Sequence, residues 1–284
     1  MRAERERPWW YLAPAAALLG VVTAYPLGHV LWLSLEQRSV LDPAPPRFIG
    51  LDNYLRLAAD ERFWNALGNT LYFVVVSVGI ELALGLAFAL AVQRPFRGRA
   101  LLYGIILLPW AVPTAVSARM WEWMYNSEIG VLNYLIGAQV NWLGSPAWAL
   151  NAAILMDVWK STPFVALLLV AGLQSIPREL YHAAAVDGAS RWTVLSRITL
   201  PLLAPMILVA LIFRTIDAFR VFDSIYVLTG GGPANSTETL SIYAYKALFQ
   251  SLEFGYGSTL AVSAFACVAL AAGAYAILLR KFLR

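Results

Sequence analysis

The sequence predicts an all-α integral membrane fold of six transmembrane helices, with a helix-turn-helix loop on the cytoplasmic face. Three observations predict it. Apolar residues gather in six runs, each close to the ~20 residues a helix needs to cross a bilayer. Charged residues are 13% of the chain and hydrophobic ones 60%, whereas a soluble domain carries about 25% charged residues. Arg and Lys cluster between alternate runs, which sets an orientation. The net charge of +4 is modest and split among short clusters, which argues against a nucleic-acid surface. Cys267, the only cysteine, excludes an intrachain disulfide or a zinc site built on several cysteines.

In chain order, residues 1–8 form a charged cytoplasmic N-terminus and 9–284 a single transmembrane domain, with spans at about 10–35, 67–92, 101–120, 151–173, 202–228 and 257–279. The first apolar run is too long for the ~7–15-residue core of a secretory signal. Helices are preferred to a barrel because no run alternates with period two. Arg2, Arg5 and Arg7, then Arg94, Arg97 and Arg99, then Arg178, Arg191 and Arg197, then Arg280, Lys281 and Arg284 all fall on one side if the chain crosses six times. The positive-inside rule therefore places both termini in the cytoplasm of a multi-pass cell (inner) membrane protein. Outside, Pro45-Pro46 breaks any helix, and Leu51 to Ala59 suits the interface. Trp121, Trp123, Trp142 and Trp148 sit where indole rings anchor helices at the membrane surface.

The loop after the fourth span is the most informative stretch. Ser175 and Pro177 can open a helix, Ala183, Ala184 and Ala185 favour its continuation, and Gly188 suits its stop. Ser190 can cap a second short helix that ends before Pro201. Physical chemistry leaves two readings of this pair. It either enters a groove on a soluble partner and passes a push to the spans, or connects two spans and folds back on its own bundle.

The loop resembles the "EAA" loop of binding-protein-dependent ABC importer permeases, in which Glu-Ala-Ala is followed by Asp-Gly-Ala and later by Leu-Pro. The matching positions are His182, Ala183, Ala184, Asp187, Gly188, Ala189, Leu200 and Pro201. His182 stands where the family has glutamate, and Glu179 lies one turn earlier. Residues 48–54 and 63–70, Trp159 to Phe164, Val221 to Pro233 and Thr237-Glu238-Thr239 are similar to the first of the two permeases in maltose-type importers. The resemblance implies a coupling loop at 176–201 that docks on an ATPase through Glu179, Tyr181, His182, Ala183, Ala184, Asp187, Gly188, Ala189 and Arg191. It also implies a second homologous permease subunit, two ATPase subunits and an extracytoplasmic solute-binding protein. ATP and magnesium would be bound by the ATPases, not by this chain. The implied activity is alternating-access import of a carbohydrate or sugar-like solute.

Ionisable residues within spans need partners or water, because burying them alone costs several kcal/mol or more. Glu81, Asp157, Lys160, Arg214, Asp217, Arg220 and Asp223 are such residues. Asp157 and Lys160 are spaced to pair on one helix face, and Arg214, Asp217, Arg220 and Asp223 alternate in sign at the same spacing. Each either fixes helix packing or lines a polar path. Lys160, Thr162, Asp217, Asp223, Ser224 and Tyr226 are the candidates for the path.

No catalytic set, Walker motif or metal-ligand spacing is legible, and His29 and His182 read as non-ligands. Gly230-Gly231-Gly232-Pro233 lacks the Lys-Ser/Thr of a phosphate loop and reads as a flexible turn. Two rival readings remain: a self-sufficient secondary transporter, which needs no docking loop, and a membrane-embedded enzyme, which needs a converging catalytic set.

Overall fold

In apolar surroundings every backbone N–H and C=O must be paired within the chain, so apolar runs become helices. The computed structural model describes residues 9–93 and 96–282, with side chains for 11–93 and 96–277. Arg2, Arg5, Arg7, Arg94 and Arg284 lie outside the described residues, as do the side chains of Arg280 and Lys281. The first elements are α1 (Trp9–Ser34), β1 (Glu36–Gln37), β2 (Arg47–Phe48), α2 (Asp52–Ala58) and α3 (Glu61–Gln93). Then come α4 (Arg99–Ala111), α5 (Thr114–Met124), α6 (Val131–Ile136), α7 (Pro146–Gln174), α8 (Arg178–Val186) and α9 (Arg191–Val194). A π-helical turn (Leu195–Thr199) leads into α10 (Leu200–Phe219), followed by α11 (Asp223–Leu228) and α12 (Leu240–Tyr245). A second π-helical turn (Lys246–Gln250) precedes α13 (Phe254–Phe282). By length and composition, five single helices among the described residues are able to cross a membrane, six if the bent pair α4–α5 counts as one span.

The chain divides into two compact units. One comprises residues 1–60 and 244–263. Within it α1 exposes an apolar surface along most of its length, as a helix solvated by lipid does. Its far end is tied down by polar contacts. Asn53 donates to the carbonyls of Ser34 (3.0 Å) and Glu36 (2.9 Å), and β1 pairs antiparallel with β2. Tyr256 donates to Asp60, and Arg56 lies 4.1 Å above the Tyr256 ring. Gly255 is required there, because a Cβ would sit 2.1 Å from the Glu36 carbonyl oxygen.

The other unit comprises residues 61–243 and 264–284, and α3, α7 and α10 form its centre. One stretch of core joins Phe73, Val78, Trp121, Tyr125, Met156 and Ile225; another joins Ala89, Val92, Val165, Leu169 and Leu203. Small residues let the helices approach closely, as in other membrane bundles. A Cβ on Gly85 of α3 would come within 2.6 Å of Val165 on α7.

The third and fifth apolar runs are not straight helices. The third is α4 and α5, which meet at 97°. Pro113 has no N–H to give and pushes Val112 into an extended conformation (φ −78°, ψ 133°), so the helix stops and restarts. The fifth ends at Phe219 and resumes at Asp223. The alternation of Arg214, Asp217, Arg220 and Asp223 is therefore corrected: only the first two share a helix.

Candidate functional site: a buried ion network and a helix-turn-helix

Arg214 on α10 is the hub of an ion network in the middle of the bundle. Its Nε and Nη2 donate to the two carboxylate oxygens of Glu81 on α3, at 2.5 and 2.8 Å. This two-bond fork is the geometry a guanidinium offers and an ammonium cannot. Nη2 also donates to Asp157 on α7 (3.0 Å), and Nη1 to Asp217 one turn along α10 (2.5 Å). The side chains of Arg214 and Glu81 are 3% and 0% exposed, whereas that of Asp217 is 73% exposed. One guanidinium thus joins all three central helices and holds one carboxylate at an open face.

Asp157 and Lys160 do not form the expected pair. Asp157 is taken by Arg214, and Lys160 Nζ donates to the carbonyl of Val112, 2.5 Å away. That carbonyl is an orphan acceptor at the C-terminus of α4, where the helix dipole also favours a cation. Lys160 therefore caps the break in the third run.

The other path candidates are dispersed. Thr162 is 3% exposed and its hydroxyl donates to Val158 of its own helix. Asp223 opens α11 and is exposed, Ser224 is buried, and Tyr226 is exposed and stacked on Phe222 at 5.2 Å between ring centroids. The glycine turn that follows is tied rather than loose. The Thr229 and Thr237 hydroxyls share a bond (2.7 Å), and Thr237 also donates to the Gly232 carbonyl (2.8 Å). Nearby, Arg62 forks onto fully buried Glu238 at 2.6 and 2.8 Å. Glu238 belongs to a motif noted in the sequence, but its partner, 176 positions away, left no local signal.

The helix-turn-helix forms as follows. Ser175 does not open α8; it closes α7, donating to the Gly172 carbonyl (2.8 Å). Pro177 is extended (φ −58°, ψ 132°) and has no side-chain oxygen, so α8 begins at Arg178 without a side-chain cap. At its other end Gly188 adopts φ +69°, the Gly188 N–H bonds the Ala185 carbonyl (3.2 Å), and the Ala189 N–H bonds Ala184 (2.9 Å). These are the two bonds of a Schellman motif, which needs a left-handed residue at the position Gly188 fills. Ser190 Oγ accepts from the Thr193 N–H (3.1 Å) and caps α9.

A second correction follows. The second loop helix does not end before Pro201. It widens into the π-helical turn, where the missing proline N–H is accommodated, and continues as α10, so Arg191–Phe219 is one 29-residue helix. Tyr181 on α8 bonds Thr199 in that turn (3.3 Å). Ala184 is buried, Ala189 is half-buried, and Glu179, His182, Ala183, Asp187 and Arg191 are exposed. Val186 (88% exposed) and Trp192 (74%) add apolar surface that the sequence reading had not singled out.

Residues 82–284 match the family described as "Binding-protein-dependent transport system inner membrane component". The chain belongs to that family. It is a non-enzymatic membrane component of a transport system and carries several apolar membrane-crossing helices. The permease is 46% identical over 270 residues to the "Trehalose/maltose transport system permease protein MalF" of Thermococcus litoralis, covering 93% of this chain and 91% of that one. It is 44% identical to the "Trehalose transport system permease protein SugA" of Mycobacterium tuberculosis (strain CDC 1551), covering 95% and 87%. Its fold matches a permease chain in the crystal structure of a bacterial alginate ABC transporter in complex with an alginate pentasaccharide-bound periplasmic protein. The TM-score is 0.84, with 24% identity over 97% of this chain and 96% of that one. Membership favours an ABC importer permease over a self-sufficient secondary transporter.

Proposed function

We propose that this permease carries a carbohydrate, delivered by an extracytoplasmic binding protein, along a path formed with a second homologous permease. Two ATPase subunits, which hold ATP and magnesium, dock on the α8–α9 pair from the cytoplasm. The observation that carries the mechanism is the continuity of α9, the π-helical turn and α10 as one helix from Arg191 to Phe219. A displacement of the docked loop moves the same rigid element that bears Arg214 and Asp217. Glu179, Tyr181, His182, Ala183, Ala184, Asp187, Gly188, Ala189 and Arg191 form the docking face. Lys160, Thr162, Asp217, Asp223, Ser224 and Tyr226 belong to the path, Lys160 by holding the break.

Uptake of radiolabelled trehalose or maltose into proteoliposomes tests the reading. The complete assembly with its binding protein should transport, and omission of the ATPase or of ATP should reduce uptake to background. ATP-independent uptake by this chain alone would overturn it.

The orientation is proposed from the arginine clusters. In a Cys267→Ala background, a cysteine replacing Asn235 should react with an impermeant maleimide from outside intact cells, and one replacing Arg97 should not. The reverse pattern would invert the topology.

A further inference from the structure

We infer that the open cleft around α6 is a phospholipid site, which seats an amine-bearing headgroup of the outer leaflet, such as phosphatidylethanolamine, on Glu128. The site rests on the proposed orientation and is independent of the solute carried.

Both α5 and α6 turn apolar residues outward. On α5, Val116, Met120 and Trp123, spaced i, i+4 and i+7, form an exposed stripe, while Ser117 lies on the buried side. On α6 the buried residue is Asn133. Its amide donates to the carbonyls of Ser127 (3.1 Å) and Val140 (3.0 Å), and its Oδ1 accepts from the Trp142 indole (2.8 Å). Val131, Tyr134 and Leu135 of the same helix are exposed. A contiguous apolar face of this kind marks contact with apolar surroundings rather than with water alone. Its location selects the bilayer. The axis of α5 leaves that of α4 at 97°, so with α4 crossing the membrane α5 runs along the surface. The next crossing is α7, and the residues between stay at that surface. Exposed Trp123 and Trp148 stand at the two ends, as interfacial anchors do.

The cleft holds about 470 Å³, and Glu128, Ile129, Val131, Tyr134 and Gln139 are among its walls. Ile129 (78% exposed) and Val131 continue the apolar stripe and suit an acyl chain. Asn126 Oδ1 accepts from the N–H of Glu128 (2.9 Å) and of Ile129 (3.0 Å), so the backbone that carries the carboxylate is set before a ligand arrives. Residues 120–150 contain two carboxylates and no lysine or arginine. Glu122 is engaged by Arg119 at 2.6 Å, whereas Glu128 has no cationic partner among the described residues. It attracts a cation and repels a further anion. A headgroup amine is the cation a lipid surface supplies, and the exposed Tyr134 ring offers it a second contact. A phosphatidylglycerol headgroup brings a phosphate and no cation.

The test is photo-cross-linking of the complete assembly in nanodiscs of phosphatidylethanolamine and phosphatidylglycerol in equal amounts. In each sample one of the two lipids carries an acyl-chain diazirine, and labelled peptides are read by mass spectrometry. Wild type should be labelled within residues 123–136 about fivefold more by the ethanolamine lipid, the scale of one partly exposed ion pair. Glu128→Gln should bring the ratio close to one while the same peptides remain labelled, and Glu128→Asp should keep a preference. Equal labelling by the two lipids in wild type, or an unchanged preference in Glu128→Gln, would overturn the inference. So would the absence of lipid labelling from this segment, the result expected if a protein partner covers it. Both leaflets of a nanodisc hold the same lipids, so these outcomes leave the orientation to the cysteine labelling and the carbohydrate reading to the uptake assay.

Discussion

Gly188→Val should reduce solute uptake by about tenfold or more while leaving membrane insertion unchanged. An L-residue pays roughly 1–2 kcal/mol for the left-handed region, and a β-branched one pays at the upper end. A Cβ at Gly188 meets nothing within 4 Å, so the cost is backbone strain alone and no solute contact is touched. Relieving the strain means opening the Schellman turn, which removes the bonds from Gly188 and Ala189 to α8. The angle between α8 and the long helix then changes, and a partner sees a different surface. Two outcomes fit: the ATPase docks poorly, or it docks and hydrolyses ATP without transport. Uptake and ATPase activity measured on the same proteoliposomes distinguish them. Gly188→Asn should be much milder, because asparagine visits the left-handed region. His182→Glu, at an exposed position outside the turn, should transport near-normally. Normal uptake by Gly188→Val would reduce the loop to a passive connector.

Arg214→Leu is expected to destabilise the bundle by about 3–5 kcal/mol, the usual cost of leaving buried charges without their partner. Glu81 is fully buried, and its two oxygens take two of the four carboxylate contacts of Arg214. Without the guanidinium, Glu81 and Asp157 face one another with no cation between them. The thermal midpoint of the purified assembly should fall, and yield should fall with it. Arg214→Lys should recover only part of the loss, since an ammonium cannot fork onto Glu81. Replacing Glu81 by Gln in the Arg214→Leu background should recover stability relative to Arg214→Leu alone, and the cycle measures the coupling. An unchanged midpoint in Arg214→Leu would mean that the network does not hold α3, α7 and α10 together.

Local chemistry was legible in the sequence; long-range pairing was not. Composition and basic clusters indicate an all-helical membrane chain, and Gly188 and Ser190 mark the ends of the loop helices because stops and caps are written in a few adjacent residues. Arg214 and Asp217 pair as their spacing implies. Glu81 pairs with Arg214 and Glu238 with Arg62, 133 and 176 positions away, and no periodicity connects either pair. The break at Val112-Pro113 shows the limit most clearly. Pro14, Pro26, Pro109, Pro163 and Pro205 all lie inside helices that continue past them, whereas Pro113 separates two. Proline alone therefore does not say which run will bend. The distant ammonium that satisfies the opened backbone does, and nothing in the third run announces it.

That contact has a consequence for how the protein is made. The Val112 carbonyl is synthesised 48 residues before the lysine that caps it. At ~5–20 residues per second the delay is roughly 2–10 s. Until Lys160 has been made, the Val112 carbonyl lacks the partner that caps it in the folded chain. The bend is completed by a residue of α7, so the final geometry of the third run depends on the segment that follows it. An insertion assay on nascent chains truncated between residues 120 and 174 would catch the third span before its geometry is set.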